Sequence, residues 1–202
     1  MNELFAVAII TVLAVISPGG DFAMVTRNSL MMGRRAGLLT ACGIALGTWI
    51  HVGYTMVGVA VLAQTFPWLL DVIKILGAGY LIYIGVQTML SKPPSNTGVP
   101  VKISDFQALK TGFLTNALNP KTTLFVVSLY SQVVGVGTPF AVQLGYGAFI
   151  SVAHGFWFAL VAWVFSNQKL VEHALSKQVL VNRMIGAVLI GLGTTLALSS
   201  IY

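Results

Sequence analysis

Residues 36–70 read AGLLTACGIALGTWIHVGYTMVGVAVLAQTFPWLL and contain no Asp, Glu, Lys or Arg. A spanning helix needs about 20 mostly apolar residues, because ~30 Å of hydrocarbon is crossed at ~1.5 Å per residue. The stretch supplies one such helix, Leu38–Leu62, and closes it at Phe66-Pro67, where a proline can begin a helix but not continue one. Residues 122–168 also lack charged side chains. Over the whole chain six segments qualify as spans: Leu4–Val25, Leu38–Leu62, Trp68–Leu90, Phe106–Val134, Phe140–Phe165 and Val181–Ile201.

Composition agrees with this reading. The 202 residues are 56% hydrophobic and 8% charged, with a mean hydropathy of +0.88. A soluble domain carries about 25% charged residues. Secreted disulfide scaffolds, nucleic-acid binders and ordinary soluble enzymes are excluded. Cys42 has no second cysteine to pair with and reads as a small buried hydrophobe. The N-terminal apolar stretch lacks a basic leader and a small-residue cleavage pattern, and is expected to remain as a span.

The net charge of +6 records orientation. Arg27, Arg34 and Arg35 fall between the first two spans, Lys92, Lys102 and Lys110 around the centre, and Lys169, Lys177 and Arg183 between the last two. Around Gln64–Asp71 and Ser131–Pro139 basic charge is almost absent. The positive-inside rule then puts the basic loops in the cytoplasm and both termini outside.

The halves resemble each other. Ser17-Pro18 matches Asn119-Pro120 at an offset of 102, His51 matches His154 at 103, and Lys74-Ile75-Leu76-Gly77-Ala78 matches Arg183-Met184-Ile185-Gly186-Ala187 at 109. Three spans per repeat is an odd number, so the second copy is inverted, as in many secondary transporters. The expected fold is all-α and integral to the membrane. It has six transmembrane helices in two inverted three-helix repeats, residues 1–91 and 104–202, joined by a linker at 92–103, in one transporter domain.

The first and fourth helices are expected to break, at Ser17–Gly20 and Asn119–Pro120. Pro18 and Pro120 remove backbone donors, Gly19 and Gly20 permit non-helical angles, and Ser17 and Asn119 read as N-caps. Inversion would bring two helix N-termini together near mid-membrane, a place for a carboxylate. Asp21 and Lys121 lie beside the breaks, and each costs roughly 2.5–3.5 kcal/mol on insertion scales. Asp21 could cap its helix, pair with Lys121 or snorkel; alternatively it binds an ammonium or carries a proton. Lys121 could order the unwound backbone or attract a carboxylate. Asn116 is a site residue or inter-helix glue. His51 and His154 are proton relays or plain helix-to-helix hydrogen bonds. Lys74 and Arg183 read as snorkelling anchors, and the glycines of Ala41–Gly47 and Gly77-Ala78-Gly79 as close packing.

These motifs resemble the LysE/RhtB family of bacterial amino-acid exporters. Ser17-Pro18-Gly19-Gly20-Asp21 stands where that family has Ser-Pro-Gly-Pro-Asp, with Gly20 departing from the usual second proline. Residues 27–47 resemble its first basic loop and Gly-rich second span. Asn116, Asn119, Pro120 and Lys121 match its Asn-Pro-Lys motif. The resemblance implies a proton-motive-force-driven exporter in the bacterial inner membrane. Its substrates would be amino acids such as threonine, homoserine, branched-chain or basic ones.

A neutral zwitterion is expected, because Asp21 alone of the five acids lies well inside a span. The alternatives are a channel-like facilitator, or an exporter of basic amino acids or other small metabolites. No enzyme motif, metal motif or cofactor is present in the sequence: there is no His-Glu-x-x-His and no Gly-x-Ser-x-Gly. Partners are expected to be the substrate, protons and the lipid bilayer, with no nucleic acid, and the small-residue faces are compatible with a homodimer.

Overall fold

In the computed structural model, residues 3–91, 103–132, 134 and 137–199 are described. They form seven helices: α1 Glu3–Ile16, α2 Gly20–Thr65, α3 Pro67–Leu90, α4 Asp105–Ala117, α5 Pro120–Gln132, α6 Phe140–Phe165 and α7 Gln168–Ser199. No strand occurs among the described residues. Within them, four helical stretches are long and apolar enough to cross a membrane: Gly20–Leu62, Asp71–Leu90, Phe140–Phe165 and Val179–Leu198. At 13 or 14 residues α1, α4 and α5 each reach only about 20 Å. They are the pieces on either side of the two chain breaks.

The apolar side chains explain the solvent. Phe106, Leu90, Phe156, Leu118 and Val57 are among the many large hydrophobics left exposed. A water-soluble monomer does not tolerate so much contiguous apolar surface, whereas lipid tails cover it at no cost. Cys42 belongs to this outer surface: it is exposed, not buried as its apolar neighbours suggested, because it lies on the outward face of α2. Apolar flanks predict depth in a soluble fold; in a membrane fold they mark either face.

Phe66 alone separates α2 from α3, and Pro67 opens α3, as turn chemistry requires. Two expected basic loops shrink to short turns between helices. The basic segment after Val25 stays helical on both sides of Gly33, whose φ 85° and ψ 174° turn the chain back so that Asn28 bonds Thr40 at 2.9 Å. No proline or turn cluster lies between Thr26 and Arg35, and the Leu, Met and Arg there favour helix. Gly33 is the one residue among them that takes a positive φ freely, and an added Cβ would touch nothing there, so its backbone angle is what requires glycine. The basic segment after Phe165 likewise joins α7, leaving Ser166 and Asn167 as the turn. Most of the expected linker, 92–102, lies outside the described residues.

α2 runs through the centre and packs on α4 and α6; α3 packs on α7 and α5; α1 touches α5, α6 and α7. At the α2–α4 crossing a Cβ on Gly112 would strike the Thr40 carbonyl, and one on Gly43 the Leu109 carbonyl. The expected packing role of that glycine-rich run therefore holds. In Gly77-Ala78-Gly79 it holds for Gly77 and Ala78, which are buried, but Gly79 faces outward with nothing nearby.

Two apolar clusters flank the centre. One joins Val7, Ile10, Ala14, Val52, Phe125, Leu129 and Tyr130; the other joins Val25, Ile44, Phe158, Ala162 and Phe165. At the surface, Arg35 grips Asp105 through a forked contact of 2.6–3.2 Å. The guanidinium holds the Asp105 carboxyl below the usual carboxylate range, through hydrogen bonding first.

Candidate functional site

The first break starts with Pro18, which has no N–H to continue the ladder of α1. Ser17 still donates its N–H to the Leu13 carbonyl at 3.2 Å. Gly19 is extended (φ −172°, ψ −162°), and α2 starts at Gly20. Ser17 is not the N-cap of α2, contrary to expectation. With Gly19 extended, its hydroxyl is carried away from the N–H groups of the first turn and bonds Thr88 of α3 at 2.8 Å. The Ser17 carbonyl is left without a helical partner and accepts the Lys121 ammonium at 2.5 Å. Gly19 makes room for that side chain: a Cβ there would lie 3.1 Å from Lys121 Cδ.

The second break lies at Leu118 and Asn119. Asn119 is the expected N-cap of α5: its Oδ1 accepts the Lys121 N–H at 3.0 Å, with Pro120 as first helical residue. Gly20 faces Asn119, whose Nδ2 would be 3.9 Å from an added Cβ. The N-termini of α2 and α5 therefore meet, each with unpaired N–H groups and a positive dipole end.

Asp21 sits in the first turn of α2 and is 5% exposed. Its Oδ2 accepts the Asn116 amide at 2.8 Å and faces the Thr122 hydroxyl at 3.5 Å. Its Oδ1 is buried and has no partner. Asp21 and Lys121 form no ion pair; the two among the described residues are Arg35–Asp105 and Lys74–Asp71. Asn116 is fully buried, with its Oδ1 facing the Thr48 hydroxyl at 3.4 Å.

His51, also fully buried, places Nε2 2.8 Å from the Asn116 main-chain oxygen. A carbonyl only accepts, so Nε2 carries the hydrogen; in the neutral ring Nδ1 then accepts from the Tyr54 hydroxyl at 2.7 Å. His154 has the opposite tautomer: its Nδ1 donates to the Ile150 carbonyl at 2.8 Å. Its ring lines a cavity of about 10 Å³ together with Ser17, Gly19, Asp21, Asn119, Lys121 and Thr122. Apolar walls come from Ala14 and Phe125 on one side and Phe22 and Phe158 on the other.

All six polar residues singled out in the sequence thus converge: Asp21, Asn119, Lys121 and His154 on the cavity, Asn116 one bond behind Asp21, and His51 one bond behind Asn116. Three threonines escaped the sequence reading. Thr122 follows Asn-Pro-Lys directly and was within reach; Thr48 and Thr88 meet the site from distant segments, with no local signal. Lys74 pairs with Asp71 at 3.2 Å on the surface, and Arg183 is exposed.

This arrangement of two broken helices and a buried carboxylate frames the comparison with known proteins. The family model for the LysE type translocator matches residues 12–200. The chain belongs to this family. It is a multi-pass membrane transporter, not an enzyme. A threonine efflux protein of Salmonella typhimurium is 27% identical over 98% of this chain and 99% of its own length. An uncharacterised membrane protein of Escherichia coli is 31% identical over 94% and 87% of the two lengths. A leucine efflux protein of Salmonella choleraesuis is 34% identical over 62% of this chain and 60% of its own length. No solved structure matches this LysE type translocator.

Proposed function

We propose that this translocator exports neutral amino acids across the bacterial inner membrane, driven by the proton-motive force. The observation that carries the reading is the buried Asp21 carboxylate, one oxygen unpartnered, where the N-termini of α2 and α5 meet. A zwitterion fits both partners: its carboxylate at the helix N-termini, its ammonium against Asp21. A lysine-like side chain would call for a second buried carboxylate. Asp71 and Asp105 have side chains 69% and 55% exposed, so neither provides one. Relatives named as threonine and leucine efflux proteins support the class.

Alternating access is the mechanism that suits a site walled by apolar clusters on two sides. A cavity of about 10 Å³ holds a water-sized body, not an amino acid, so the halves must move apart to load it. The inverted repeat has support from the crossing of its two histidines: His51 packs on the break of the second half, and His154 lines the cavity at the break of the first. Six spans then form from α1 with the start of α2, the rest of α2, α3, α4 with α5, α6 and α7. One repeat rocks against the other, with the basic loops cytoplasmic and both termini outside.

The test is efflux of labelled amino acids from cells expressing the chain, with and without an uncoupler. Export of a neutral amino acid that the uncoupler abolishes, and that Asp21→Asn loses by about tenfold or more, is the expected result. Uncoupler-insensitive flux, or export of lysine in preference to neutral amino acids, overturns the reading.

A further inference from the structure

Resting on that reading of the site, we infer that Asp21 and His154 share the coupling proton through a single water held between Asp21 Oδ1 and His154 Nε2. Three independent features lead there. Asp21 Oδ1 is a buried carboxylate oxygen without a hydrogen bond, although the other oxygen is held by Asn116. The Nδ1–H of His154 is committed to the Ile150 carbonyl, so the lone pair of the neutral ring is on Nε2, which has no hydrogen-bond partner among the described residues. Both side chains, 5% and 4% exposed, line one cavity of about 10 Å³. That is the volume of one water, and a buried water needs two to four polar partners.

The proton step balances within these three groups. The protonated Asp21 carboxyl donates to the water, and the water donates to Nε2. One O–H bond breaks on Asp21 and one N–H bond forms on His154; the water ends as it began. The resulting imidazolium keeps both of its N–H groups bonded, one to Ile150 and one to the water. The charged and titratable groups around His154 are Asp21 and His51 of α2 and Lys121 of α5. α1 contributes only Ala14, Val15 and the Ser17 region to the cavity, and among the described side chains α3 and α7 bring it no charge. A substrate ammonium binds Asp21 only as the carboxylate and displaces the water, so the proton on His154 Nε2 is then lost to bulk water, which would make the exchange obligatory.

The experiment uses the full chain in proteoliposomes with His154→Gln, which can bond a water but cannot take up a proton. His154→Asn serves as a second, smaller amide if Gln impairs folding. pH-gradient-driven accumulation of a neutral amino acid should fall about tenfold or more relative to the exchange that the same variant carries out between compartments of equal pH. Gradient-driven accumulation that falls only in step with exchange would overturn the dyad. A readout independent of transport is the infrared C=O stretch of the protonated carboxyl, assigned by its loss in Asp21→Asn. In His154→Gln the carboxyl keeps the proton it otherwise shares, so the band should strengthen about twofold or more at a given pH; an unchanged band overturns the inference. If the native chain moves no amino acid, the functional reading fails, and the infrared titration still decides the dyad.

Discussion

Lys121 donates its ammonium to the main-chain carbonyl of Ser17, 104 residues earlier, and leaves Asp21 unpaired. The one cation at the centre of the site therefore neutralises the C-terminal end of α1 and not the buried acid. Had the two charges joined, Asp21 would have spent its charge on the protein itself. The carbonyl left open where α1 ends and Gly19 turns extended draws the ammonium aside and keeps the carboxylate available.

Replacing Lys121 by Met is expected to leave that carbonyl buried without a donor, a loss of about 1–3 kcal/mol. Thermal unfolding in detergent should show a lower Tm for Lys121→Met. The Ser17→Ala variant, which spares the carbonyl, should lose less, since only its hydrogen bond to Thr88 goes. Equal Tm values for native and Lys121→Met would show that the contact contributes nothing.

The α2–α4 crossing makes a paired prediction. Gly112→Ala places a Cβ onto the Thr40 backbone and should destabilise the protein by about 1–3 kcal/mol, because neither main chain can yield without separating the helices. Gly53→Ala, on the partner helix α2 with nothing within 4 Å, should be neutral or stabilising by up to about 1 kcal/mol. Unfolding curves of the two variants should move in opposite directions or at least separate clearly.

Orientation is open to direct chemistry. In a Cys42→Ser background, Thr138→Cys should react with a membrane-impermeant maleimide in intact cells. Lys177→Cys should react only after the membrane is opened. The reverse pattern would invert the proposed topology.

Much of this architecture can be read from the chain because its signals are local. Pro18, Pro120 and Pro67 break or start helices through their missing N–H, whatever surrounds them. Asn119 caps because a side chain two residues from an N–H can hardly fail to meet it. Ser17 misled because its cap depended on the angle of Gly19, against which Lys121 packs from the other half of the chain. Thr88 reaches Ser17, and Thr48 reaches Asn116, only through tertiary packing, so neither carried a mark in the sequence. The exposure of Cys42 was hidden for another reason: with lipid as solvent, an apolar neighbourhood does not distinguish inside from outside.

Gly33 gives the central helix a mechanical property. Asp21 lies twelve residues before it, so at ~1.5 Å per residue the arm from pivot to carboxylate is about 18 Å long. That arm does not swing free: Asn28 bonds Thr40 beyond the joint at 2.9 Å, and Val25 clusters with Ala41 and Ile44. His51 lies on the far side of the joint, in the stretch of α2 fixed to α4 by Gly43. The acid and its histidine backstop thus stand on two arms of one folded-back helix, clasped along their length, and a motion that carries one of them has to carry the other.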